Sequence, residues 1–208
     1  MEQKWITKYL KLAKVLAEDN DACYSRQIAV VLVSPQNRII GMGYNGAAEH
    51  IPHADSTTYL VHLYSSLLTE DDKNNLHKQG MPDAISLCNK YAGCKICPRK
   101  ILGIPSGARL ELCPCVHAER NCLASANVQG VSTLGSTMFC YCGVPCFECT
   151  NQIIQAGIKT IVCLQTEDDY SKSSRWLFEK ANRNIIEVDK ETFAKSSSMP
   201  LLDRDWLK

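Results

Sequence analysis

The chain has 208 residues, 45% of them hydrophobic and 22% charged, and a net charge of +1. That is long enough for one domain with a sizeable core, and too neutral for a surface built to follow a nucleic-acid backbone. No apolar run reaches the roughly 18 residues of a membrane helix. Met1-Glu2-Gln3-Lys4-Trp5 lacks the apolar core of a secretory signal, so a cytoplasmic protein is expected. Of twelve cysteines, ten lie between Cys88 and Cys149; in a non-secreted chain these read as metal ligands and buried thiols, not disulfides.

Apolar residues at three- and four-residue spacing from Trp5 to Ala17 predict an amphipathic helix, ended by the turn-rich Asp19-Asn20-Asp21. Ile28 to Val33, almost continuously β-branched, reads as a strand buried on both faces. Ser34-Pro35-Gln36-Asn37 turns the chain into a second strand, Arg38 to Met42. The hairpin leads to Gly43-Tyr44-Asn45-Gly46, where glycine permits close backbone approach to a ligand. Tyr59 to Leu68 and Glu70 to Lys78 are the next helix candidates.

Residues from about 47 to 115 read as an insertion into a single domain, 1–208, with its cysteine-rich part at 88–115. Cys88, Cys94 and Cys97, then Cys113 and Cys115 after 15 residues, have the spacing of a structural zinc site. Pro98, Pro105, Gly93, Gly103 and Gly107 leave little for a core, so a metal is expected to hold the segment folded. The expected ligands are Cys88, Cys94, Cys97 and Cys113, with Cys115 or His53 as an alternative fourth.

A helix is predicted from His117 to about Asn127, a strand over Thr137 to Cys142, and a helix from Pro145 to Ala156 that stops at Gly157. Lys159 to Leu164 is the next strand, Ser173 to Asn182 a helix and Ile185 to Val188 a last short strand. Residues 189–208 show no firm pattern. Strands alternating with helices after one hairpin imply an α/β protein, a mixed five-stranded sheet between helices. In such sheets ligands sit beyond the strand ends, at helix N-termini.

Two helix starts carry the chemistry. His117-Ala118-Glu119 and Pro145-Cys146-Phe147-Glu148-Cys149, with 28 residues between His117 and Cys146, supply one imidazole and two thiolates to a tetrahedral zinc. A fourth position stays open for water, and Glu119 is spare for proton transfer. A closed structural site has no use for that carboxylate.

With these motifs the sequence resembles the deoxycytidylate (dCMP) deaminases of the cytidine deaminase superfamily, phage and bacterial members above all. Ser25-Arg26, Gly43-Tyr44-Asn45-Gly46, His117-Ala118-Glu119-Arg120-Asn121 and Pro145-Cys146-Phe147-Glu148-Cys149 carry the likeness, in that order. So do Ile153 to Lys159 and Tyr170. The resemblance implies a three-layer α-β-α fold and zinc-dependent hydrolysis of dCMP to dUMP and ammonia. A 5-substituted dCMP or another pyrimidine nucleotide or nucleoside is the alternative substrate. It implies zinc on His117, Cys146 and Cys149, Glu119 as proton shuttle, and nucleotide contacts from Arg26, Asn45, Ala118 and Tyr170. It further implies dCTP or dTTP effectors, with Mg2+, near Gly43, Tyr44 and Gly46, and a homohexamer without nucleic-acid or membrane partners. The chain departs from the family at Ala47-Ala48, where a proline usually follows the loop, and at Cys122 and Val144.

Overall fold

The computed structural model describes residues 2–105, 107–166 and 171–197. In chain order, α1 (Gln3–Glu18) precedes a hairpin of β1 (Ala29–Val33) and β2 (Ile39–Tyr44). Then come β3 (Gly46–Ala47), α2 (Thr57–His62), α3 (Glu70–Lys78), α4 (Ala84–Tyr91), α5 (Pro98–Ile101) and β4 (Cys115–Val116). The chain continues through α6 (Ala118–Val128), β5 (Thr137–Cys140), α7 (Phe147–Gln155), β6 (Thr160–Leu164), α8 (Lys172–Lys180), β7 (Asn184–Val188) and α9 (Lys190–Ser197). Contacts divide these into two units: Met1–Asp19, Ile28–Tyr44 and His117–Lys208 in the first, Asn20–Gln27 and Asn45–Val116 in the second.

The first unit is a five-stranded sheet in the order β2-β1-β5-β6-β7. β1 runs antiparallel to both neighbours, whereas β5, β6 and β7 are parallel. All five residues of β1 are buried because the sheet is covered on both faces. Val31 and Val33 pack with Tyr9, Leu10 and Ala13 of α1, while Val30 and Leu32 pack with Ala118, Cys122 and Ala126 of α6. That double burial explains why β1 is an unbroken apolar run and does not alternate. α9, in a stretch that shows no firm sequence pattern, exists because Phe193 is buried in the α1-side core and Asp189 accepts a hydrogen bond from the Thr192 N–H at 2.8 Å.

The second unit has a core of its own, to which the cysteine-rich segment 88–115, expected to offer little, contributes Ile101 and Leu112. Tyr59, Leu60, Leu63, Leu76, Leu87, Ile101 and Leu112 are buried together, so the proline- and glycine-rich segment is partly held by apolar burial. α3 and α4 begin with reciprocal capping boxes, Thr69 with Asp72 and Asp83 with Ser86. The helix expected over Tyr59 to Leu68 is α2 continued by one π-helical turn, Leu63–Leu67. Gly46 and Ala47 pair with Val116 and Cys115, a two-residue ladder too short to leave a periodic signal.

Helix α6 lies close against β2, and glycines make this possible. A Cβ at Gly43 would lie 2.4 Å from the Cys122 nitrogen and 2.6 Å from the Ala118 carbonyl oxygen. Both are helix backbone atoms that cannot swing aside. At Gly41 the nearest atom, the Cys122 carbonyl oxygen, is 3.3 Å away. Asn121 adds a side-chain hydrogen bond to the Tyr44 carbonyl at 2.8 Å. Gly43→Ala is therefore expected to destabilise the protein by about 1–3 kcal/mol, the usual cost of overpacking, and Gly41→Ala by less; urea unfolding of the two variants reads the order.

Candidate metal centre

All three expected ligands stand at helix starts in the first unit. His117 is the N-cap of α6, Cys146 the N-cap of α7, and Cys149 lies in the first turn of α7. Pro145, expected as the first helical residue, instead precedes the cap; its carbonyl accepts a hydrogen bond from the Thr150 hydroxyl at 3.2 Å. Cys146 and Cys149 thus meet as cap and first turn. The His117 Nδ1 atom lies 3.4 Å from each of the two sulfurs. Among the described residues this is the one group of three ligating side chains whose donor atoms all lie within 4.8 Å of one another.

The donor set fits zinc. Bond lengths of about 2.0–2.1 Å to nitrogen and 2.3 Å to sulfur at tetrahedral angles put such atoms about 3.5 Å apart, close to the observed spacing. The surroundings of the trio already favour a thiolate at Cys146. Cys146 is pulled down to about 4, first by the hydrogen bond from Cys149 and, against burial, by His117. The hydrogen bond to Cys146 in turn raises His117. Zinc would displace the remaining thiol proton.

Glu119 is 5% exposed. Burial holds its carboxyl above the ordinary range, against smaller opposing effects from its own backbone N–H and from His117. A carboxyl at the start of α6, two residues from a metal ligand and not itself one of the close trio, can exchange protons with whatever occupies the open position. Ala118 between them is fully buried.

The other expected residues are placed by their own elements. In the second unit Asn45 is buried; its amide nitrogen donates to the Arg26 carbonyl at 2.6 Å, and its amide oxygen accepts from Asn20 at 2.8 Å. The Arg26 side chain is exposed. Gly43 is filled by the approach of α6, Gly46 belongs to β3, and Tyr44 is half-exposed. Tyr170 lies outside the described residues.

The structure redraws the cysteine cluster of the second unit. Cys97 and Cys113 act electrostatically on each other, and the influence continues through Cys115 to Cys23. Cys88 and Cys94 turn instead to the Thr57 and Lys90 carbonyls, at 3.8 and 3.4 Å. Cys88 is half-buried on α4, and Cys94 is exposed in the turn that follows it. Sequence reading missed Cys23: it stands alone after α1, and only the fold brings it to Cys115, whose sulfur lies 3.5 Å from the Ala22 carbonyl oxygen. Cys113 is lowered to about 3 by Cys115 and Cys97, and Cys23 to about 6 by Cys115.

Comparison with known proteins agrees with this geometry. The family model for the cytidine and deoxycytidylate deaminase zinc-binding region matches residues 3–165. The deoxycytidylate deaminase of Schizosaccharomyces pombe is 28% identical over 76% of the chain, which spans only 36% of that protein's length. The deoxycytidylate deaminase of Enterobacteria phage T4 is 23% identical over 89% of the chain and 91% of its own length. The structure of the dCMP deaminase of cyanophage S-TIM5 in complex with dCMP and dUMP superposes with a TM-score of 0.56 at 16% identity, covering 90% of this chain and 99% of that one. That likeness establishes a common fold. His117→Ala is expected to lower the zinc content by one ion per chain, read by metal analysis of the purified variant beside the wild type.

Proposed function

The chain belongs to the cytidine and deoxycytidylate deaminase family, and from that premise we propose that it is a dCMP deaminase, converting dCMP to dUMP and ammonia. The observation that carries the reading is the trio His117, Cys146 and Cys149 with the buried carboxyl of Glu119 beside it. Three protein ligands leave an open position, which distinguishes a catalytic from a structural zinc. The choice of dCMP is supported by the relatives: the fungal and phage proteins are deoxycytidylate deaminases. No helix among the described residues is long and apolar enough to cross a membrane.

Zinc, when bound there, supplies Lewis-acid activation of water at neutral pH. Glu119 does the proton work. It accepts a proton from the attacking water and delivers it to N3 of the cytosine ring as the oxygen adds at C4. It then moves the remaining hydroxyl proton to the 4-amino group, which leaves as ammonia. The backbone of α6 positions that carboxyl, and its burial shields the exchange from bulk water. Arg26, Asn45, Ala118 and Tyr170 are assigned to the nucleotide by the resemblance alone. Control by dCTP and dTTP with Mg2+ at Gly43, Tyr44 and Gly46, and assembly into a hexamer, belong to the same reading and rest on the same support.

A second, structural zinc is part of the proposal. Its ligands are Cys23, Cys97, Cys113 and Cys115 in place of Cys88 and Cys94, supported by the continuous row of thiol contacts in the second unit. Metal binding would fold this open row into a four-sulfur cage and join Cys23 to the cysteine-rich segment.

The activity test is release of dUMP and ammonia from dCMP, run beside 5-methyl-dCMP and cytidine, with and without dCTP and Mg2+. Turnover of dCMP above the other two supports the assignment, and preference for another substrate replaces it. Glu119→Gln is expected to lose about 10²–10⁴-fold in kcat with zinc content unchanged. Metal analysis separates the second site: two zinc ions per wild-type chain, one in Cys23→Ser, and two in the Cys88→Ser, Cys94→Ser double variant. One zinc in the wild type would overturn the second site and leave the first intact.

A further inference from the structure

The spacing of the metal ligands depends on where the first turn of α6 stands relative to the first turn of α7, since each helix start contributes to one trio. Buried side chains fix the helix bodies: Ala118, Cys122 and Ala126 of α6 share a core with Ile153 of α7. At the open front a polar link joins the first turns themselves. Arg120, the third residue of α6, is ion-paired through its Nη2 with the carboxylate of Glu148, the second residue of α7. Glu148 lies between Cys146 and Cys149 in the chain, and Arg120 directly follows Glu119.

This arginine is otherwise badly placed. The N-terminal turn of a helix carries partial positive charge and favours acids over bases. Its Nε atom is also buried without a hydrogen-bond partner among the described residues, a cost that calls for an explanation. The pair adds little to overall stability, because the Glu148 side chain is 65% exposed and exposed ion pairs contribute little to folding. What it does supply is a fixed distance between two helix ends, together with a cation close enough to act on both cysteine sulfurs. Those sulfurs become anions on ligation, so a neighbouring positive charge favours the ligated state.

We propose that Arg120 and Glu148 form a positioning clamp for the metal centre, holding the first turns of α6 and α7 at the separation that His117, Cys146 and Cys149 need to close on one ion. The inference rests on the reading of this trio as a zinc site. It concerns residues outside the ligand set, which act through the ligands and touch neither metal nor substrate.

The test compares Arg120→Gln, Glu148→Gln and the charge-exchanged double variant Arg120→Glu, Glu148→Arg with the wild type. Zinc is titrated against a chromophoric chelator, and the fraction absent from His117→Ala is taken as the signal. Each single variant should bind that zinc about 10–100-fold more weakly, as loss of a ligand-supporting contact does, with thermal unfolding of the metal-free protein unchanged. The exchanged pair should regain most of the loss. Cobalt substitution gives an independent view: tetrahedral absorption bands should shift in the single variants and return in the exchanged one. Unchanged zinc affinity in both single variants would overturn the clamp. So would a loss confined to Arg120→Gln, which would mean a lone cation, or an exchanged pair that regains nothing. A wild type without any His117-dependent zinc would instead refute the metal reading on which the clamp stands.

Discussion

Everything at the metal centre depends on how near one helix can come to one strand. With no side chain at position 43, the backbone of α6 approaches β2 to a distance that a single Cβ would forbid. Since α6 begins at His117 and carries Glu119, the same contact sets the depth at which the imidazole and the carboxyl stand. The apolar interior supports this on the same face of the sheet: Val30 and Leu32 of β1, register partners of Gly43 and Gly41, pack with Ala118 and Cys122. A packed core transmits displacement instead of absorbing it, so a shift of α6 would carry the ligand with it.

The two units are held together internally by different physics. The sheet unit is built on apolar residues packed on both faces of five strands. The second unit combines a smaller apolar core with polar devices: two capping boxes, the ion pair of Arg109 with Asp72 at 2.8 Å, and the row of four thiols. Arg109 adopts a left-handed backbone, φ 47°, an uncommon conformation for a non-glycine residue. It is accommodated where its guanidinium reaches the carboxylate that also caps α3. Short elements with few buried residues rely on such local closures.

What the sequence shows and what it hides follow from range. Periodicities within one element are local, and they locate α1, β1, α3 and the mixed sheet closely. The close trio of His117, Cys146 and Cys149 is legible because a zinc site demands fixed residue types at short spacing around helix starts. Cys23 is not legible, because its partners lie far along the chain and only three-dimensional structure joins them. The core of the second unit is hidden for a similar cause: Leu60, Leu76, Leu87 and Leu112 sit on separate short elements, so no single window shows an amphipathic pattern. α9 escapes for want of more than one strongly buried residue, Phe193.

The order of the three side chains along the chain bears on how the trio closes. β5 lies between His117 and Cys146, and it is inserted between β1 and β6. Once β5 has paired across the sheet, the free loops that separate the imidazole from the two thiols are shorter, and bringing them together costs less chain entropy than in the open chain. An ion held by the trio would then act as a clasp on two helix ends of a sheet already paired.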